Sequence, residues 1–167
     1  LTVYSVLVAI TAAAGQTISA TDTIRNQGGG PADASVTHYF LSSNSTLDAA
    51  DIALGSRAVP ALAAATSNSG TTTLTIPAGT ATGYWYLLAK ADDPGNVLEV
   101  SESNNVASRS LTLGSDLIAY SLTVPPSAAA GQSITLTDTT RNQGGGEAAV
   151  STTQYFLSRD TMWDASD

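Results

Sequence analysis

Sliding the 167-residue sequence along itself by 116 positions aligns residues 1–51 with 117–167 without a gap, and 29 of those 51 pairs are identical. Three blocks dominate the match. Ala12–Gln16 matches Ala128–Gln132, Arg25–Gly30 matches Arg141–Gly146, and Tyr39–Ser42 matches Tyr155–Ser158. A duplicated unit of this size must bury its own core within one repeat or against its neighbours. The second run stops less than halfway through the unit. The expectation is therefore one complete unit at 1–114, the N-terminal part of another at 115–167, and a slice taken from a longer array. The repeat also decides the reading of the first residues. LTVYSVLVAITAAAGQ resembles the apolar stretch of a signal peptide but has no basic flank, and its counterpart LIAYSLTVPPSAAAGQ stands mid-chain at 117–132. It reads as a structural segment. The first residue is Leu, not Met, which fits a chain processed or excised from something longer.

The unit reads as all-β. Short runs rich in Val, Ile, Thr and Tyr recur between turn signals. They predict strands at 1–9, 17–26, 35–42, 52–59, 71–76, 83–91 and 106–113. The turns are expected at Ala14-Gly15-Gln16, Gly28-Gly29-Gly30-Pro31, Asn68-Ser69-Gly70, Pro77-Ala78-Gly79 and Asp93-Pro94-Gly95-Asn96. No stretch carries a 3.6-residue apolar period. Seven strands in about 115 residues suit an immunoglobulin-like antiparallel β-sandwich. Tyr84, Trp85, Tyr86, Leu87 and Leu88 are the richest core candidates. Residues 117–167 supply three further strands, which alone would leave an apolar face and a free edge.

Composition removes several function classes. Hydrophobic residues make up 43 % of the chain, enough for a packed core. Fourteen acidic residues against six basic ones give a net charge of −8, which opposes nucleic-acid binding. With no Cys there is no disulfide framework, thiolate metal site or thiol nucleophile, and one His cannot build an imidazole-rich site. No apolar run approaches the roughly 18 residues of a transmembrane helix.

Four segments together carry a family resemblance: DLIAYSLTVPPSAAAGQSITLTDTTRNQGGG at 116–146, YFLSSNSTLDAADIALGS at 39–56, IPAGTATGYWYLLAKAD at 76–92 and NVLEVSESNN at 96–105. The unit resembles the CARDB domain (cell adhesion related domain found in bacteria), an immunoglobulin-like module of secreted and surface proteins. Copies in that family often begin with Asp, here Asp116. The resemblance implies tandem stalks, adhesins or accessory modules of larger exported proteins, located outside the cell or on its surface. It does not imply catalysis.

The residues that could carry chemistry are mostly acidic. The loop after the third strand places Asn44, Asp48 and Asp51 at i, i+4, i+7, and the second copy repeats this as Asp160, Asp164 and Asp167. One helical turn would put these oxygens on one face. Ca²⁺ accepts six to eight hard oxygen ligands, so these six residues are candidate calcium ligands, with a carbonyl of Ser42 or Leu47. The opposing reading is a solvated turn in which Ser45 caps and Asp48 closes a capping box. Glu99 and Glu102, near Asp92, Asp93, Asn104 and Asn105, form a second acidic group, read either as cation ligands or as a polar loop held by Asn side chains. Asp22 and Asp138 share the parity of core-facing Ile18, Ala20 and Ile24. A carboxylate there needs strong hydrogen bonds or a charge partner, unless a bulge turns it outward; Arg25 and Arg141 precede the Asn-Gln-Gly-Gly-Gly turns, where one of them is expected to pair with a nearby carboxylate. His38 has Gln154 as its counterpart, and no nucleophile elbow exists. Gly28–Gly30 reads as a turn, lacking the Lys-Ser/Thr of a phosphate loop.

These readings converge on a non-enzymatic, extracellular repeat module. Its expected partners are neighbouring repeats or other copies of itself, and a surface glycan or protein. Only Gly114-Ser115 separates the units, so adjacent modules should hardly flex. Two alternatives stay open. One is a filament subunit whose half-domain is completed by strands from another chain. The other is a glycan-binding accessory module of a secreted hydrolase, whose platform would be Tyr84, Trp85 or Trp163.

Overall fold

The computed structural model describes residues 1–93 and 95–164, and all its regular structure is strand. The strands are β1 (Thr2–Leu7), β2 (Thr11–Ala12), β3 (Thr17–Arg25), β4 (Ser35–Ser42) and β5 (Ile52–Val59). They continue with β6 (Ser67–Thr75), β7 (Gly83–Lys90), β8 (Val106–Leu113), β9 (Leu117–Thr123) and β10 (Thr137–Asn142). A three-stranded sheet in the order β1-β3-β6 faces a five-stranded sheet in the order β2-β8-β7-β4-β5. All pairings are antiparallel except β2 with β8, where the chain leaves the first sheet at Leu7 and joins the second at Thr11.

Period-2 patterning builds the core. On β3, Ile18, Ala20, Asp22 and Ile24 point inward and are buried, while Thr17, Thr21 and Thr23 point out. The outward hydroxyls pair across to β6: Thr21 Oγ1 lies 2.8 Å from Thr71 Oγ1, and Thr23 Oγ1 lies 2.8 Å from Ser69 Oγ. The inner face of the larger sheet supplies Tyr39, Leu41, Leu87, Leu111 and Leu113, all at 2 % exposure or less. Burying each such side chain stabilises by about 1.5–3 kcal/mol.

Several expectations need correction. β6 begins at Ser67, so Asn68-Ser69-Gly70 lies inside a strand and is not a turn. Gly70 is there for close approach: a Cβ would stand 2.7 Å from Arg57 Cδ. Tyr84 is 81 % exposed on the outer face and is not core, whereas Leu87 and Leu88 are fully buried. Among the described residues of the second copy, β9 and β10 alone form strands, as a separate two-stranded sheet. The third strand expected near 151–158 is not formed among the described residues.

The two copies meet through a short, bonded connection. β8 ends at Leu113 and β9 begins at Leu117. Gly114, at φ 105°, donates its N–H to Ala12 O at 3.0 Å. Gly146 N–H donates to Gly114 O at 2.9 Å, and Gln143 N–H to Asp116 O at 2.8 Å. Asn142 Oδ1 accepts the Asp116 N–H at 3.0 Å.

Candidate functional site

The buried carboxylate of Asp22 bridges the two sheets. Its Oδ1 accepts from Tyr39 Oη at 2.5 Å and from Arg57 Nε at 2.9 Å, and its Oδ2 accepts from Arg57 Nη2 at 2.6 Å. Arg57 Nη1 donates onward to Asn68 Oδ1 at 2.7 Å. The charge partner is therefore Arg57 of β5. Arg25 is not the partner; its guanidinium lies 5.7 Å from the centre of the Tyr4 ring. Nor does a bulge turn Asp22 outward, since its register with Val6 and Gly70 is intact. The bond to Asp22 raises the Arg57 pKa above its ordinary value. Burial, then the Asp22 bond, raises that of the Tyr39 phenol. Both groups are held in their protonated forms, so the cluster is a sheet-to-sheet lock. Sequence reasoning missed Arg57; the signal was a lone base in a strand opposite a core-facing Asp.

The Asn44–Asp51 loop forms bends and a turn, with no helix and no capping box. Asn44 Oδ1 accepts Thr46 N–H at 2.8 Å, Asp48 Oδ1 accepts Ala50 N–H at 2.8 Å, and Asp51 Oδ2 accepts Asp48 N–H at 2.9 Å. The expected common face is thus replaced by successive side-chain-to-backbone turns. In the second copy Asp160 Oδ1 likewise accepts Met162 N–H at 2.8 Å. Asp164 is exposed, and Asp167 lies outside the described residues.

The second acidic group does converge. Asn105 Nδ2 donates to Glu99 Oε2 at 2.5 Å and to Glu102 Oε2 at 2.9 Å, and the Leu1 amine forms an ion pair with Glu99 Oε1. Asp92, buried and at φ 49°, accepts the N–H groups of Asn96 at 3.2 Å and Val97 at 2.9 Å. The group ties the start of β1 to the loop before β8. Among the described residues the buried acceptor Asn105 Oδ1 has no hydrogen-bond partner. Among the described residues no three His, Cys, Asp or Glu side chains are grouped as a metal centre would need. His38 Nδ1 lies 3.3 Å from Asp93 Oδ2, and Lys90 Nζ donates to Asp93 Oδ1 at 2.7 Å, a partly exposed charge cluster.

A family model for CARDB matches residues 1–109. The chain belongs to the CARDB family. Solved CARDB folds agree with the sandwich described above. The chain is similar to the CARDB domain of a Pyrococcus furiosus protein crystallised in complex with di-metal ions, at 17 % identity and a TM-score of 0.50. That match covers 65 % of this chain and 87 % of the other. It is similar to a domain of a candidate cell-surface protein from Methanosarcina acetivorans at 19 % identity and a TM-score of 0.50. There the coverage is 68 % of this chain and 90 % of the other. No curated protein matches the sequence.

The aromatic residues of this CARDB chain are spread apart. Tyr84 is exposed on the five-stranded sheet. Trp85 is half-buried against the core, with its indole N–H donating to Ala81 O at 2.9 Å. Trp163 belongs to the second copy and lies edge-on to Phe156, with ring centres 6.0 Å apart. No helix among the described residues is long and apolar enough to cross a membrane.

Proposed function

We propose that this CARDB chain is a non-catalytic, structural and adhesive part of an exported protein, acting as one stretch of a stiff row of like units at a cell surface. The observation that carries the reading is the connection between the copies. Three residues separate β8 from β9; Gly114 is bonded to Ala12 of the first copy and to Gly146 of the second, and Asp116 is bonded to Asn142 and Gln143. Such a joint transmits force and resists bending in a way a longer flexible linker does not. The likeness to a domain of a candidate cell-surface protein supports the location. The test is the mass and placement of the native polypeptide. A mass far above 16.9 kDa, with repeating peptides of the 116-residue unit and cleavage by protease added to intact cells, supports it. A protease-protected polypeptide near 16.9 kDa overturns it.

A second reading has its own observation. The second copy presents an open cleft of about 1050 Å³ whose lining includes Leu122, Val124, Ile134, Phe156 and Trp163. Strands from another chain would close it and remove the edge. A concentration-dependent rise in solution mass would favour this filament-subunit reading. Calcium stiffening is a narrower proposal for the Asn44–Asp51 loop. Its support is the pair of carboxylates linked by the Asp48–Asp51 turn, together with the metal ions of the P. furiosus domain.

A further inference from the structure

We propose that the open Gly28–Gly30 turn is a docking surface for the C-terminal pole of another copy of the same unit joined ahead of it. This rests on the row-of-units reading and deepens it by naming the contact.

The second copy shows what this turn can do. Its Gly144–Gly146 segment lies against the pole of the first copy where Ala12 and Gly114 meet. A Cβ on Gly145 would overlap the backbone of Ala12, and one on Gly144 would overlap Gly114 O. Glycine is demanded there by close backbone approach. Gly146 N–H donates to Gly114 O across the contact.

The first copy holds the same turn in the same shape with nothing against it. Asn26 Nδ2 donates to Gly30 O at 2.8 Å and Asn26 Oδ1 accepts Gly28 N–H at 2.9 Å. The matching bonds of Asn142 measure 2.7 and 3.0 Å. Yet a Cβ on Gly29 or Gly30 would meet no atom within 4 Å, and neither residue is left-handed. Nothing within the first copy requires glycine at these positions; a docked pole does.

The surroundings fit the same occupant. The turn lines a cleft of about 510 Å³ together with Leu98 and Val100, both fully exposed apolar side chains. Apolar surface thus stands uncovered beside the turn. A separate chain of this sequence cannot supply the pole, because its Ala12 and Gly114 are already covered by its own Gly144–Gly146. The occupant is therefore a unit joined upstream.

The experiment extends the chain by placing residues 1–116 directly ahead of Leu1, and follows amide exchange at Gly30 beside small-angle scattering. Docking slows Gly30 exchange by about tenfold or more relative to the 167-residue chain, and Gly29→Val in the extended chain abolishes the slowing. In the 167-residue chain Gly29→Val leaves the melting midpoint unchanged, which shows that the variant folds. Leu98→Asp, on the cleft wall, weakens the protection as a second variant. Equal Gly30 exchange in both chains, or protection that survives Gly29→Val, overturns the proposal. These readouts use purified protein, so they stand or fall separately from where the native polypeptide is found.

Discussion

The same residues behave differently in the two copies. Ile18 is 5 % exposed and its counterpart Ile134 is 49 % exposed; Tyr39 is 0 % exposed and Tyr155 is 47 %. Local structure is shared: both hairpins carry a register shift at the matching Tyr, and Arg141 lies 5.5 Å from the Tyr120 ring as Arg25 does from Tyr4. Even the phenol-to-carboxylate bond recurs, Tyr155 Oη donating to Asp138 Oδ1 at 2.5 Å. Among the described residues of the second copy no sheet faces this hairpin. Hairpin geometry and short-range side-chain bonds are therefore properties of the first fifty residues alone, whereas burial requires β5 to β8.

The largest expected effect separates the two carboxylates. Arg57→Met strands a buried charge and should cost about 3–5 kcal/mol in chemical denaturation. Asp138→Asn, in the water-exposed version of the pair, should change stability by less than about 0.5 kcal/mol. Similar losses in both would mean that the second copy is closed in solution. Core truncation sharpens the same contrast. Leu87→Ala should cost about 2–5 kcal/mol by leaving a cavity, and Phe156→Ala should leave the midpoint unchanged.

The alkaline limb is a smaller effect with a definite sign. The folded pKa of Tyr39 is raised above its ordinary 10.0, first by burial and then by Asp22. The native state thus keeps a proton that the unfolded state loses. This stabilisation is complete below pH 10 and is lost as pH rises through the folded pKa. Tyr39→Phe should remove that pH dependence from denaturation curves. Tyr155→Phe should leave it intact, because water screens the exposed pair although Asp138 raises its pKa too. The smallest effect concerns calcium. At tenfold excess over its dissociation constant, an ion bound at the Asn44–Asp51 loop adds about 1.4 kcal/mol, read as a higher melting midpoint in calcium than in EDTA. Equal midpoints would remove calcium from the proposal.

Much of the fold was legible in the sequence. The strands at 35–42, 52–59 and 106–113 match β4, β5 and β8 residue for residue, because alternating patterns bounded by polar turns leave little freedom of register. The misreadings share one cause. Gly70 looked like a turn signal but serves Arg57, and Tyr84 looked like core but lies at the strand end facing outward. Each depends on a neighbour far along the chain. The acidic sites were legible only as composition. Glu99 and Glu102 do meet, through Asn105, while Asn44, Asp48 and Asp51 satisfy their own backbone instead.

The sequence by itself determined the repeat, the strand alternation and the inward parity of Asp22, since these follow from local period and identity. Only the tertiary structure decided that Arg57, 35 residues away, neutralises Asp22, and that Gly145 but not Gly29 has a neighbour pressed against it. Sheet pairing and module contact bring distant backbones to within one side chain's width, and no local pattern encodes that distance.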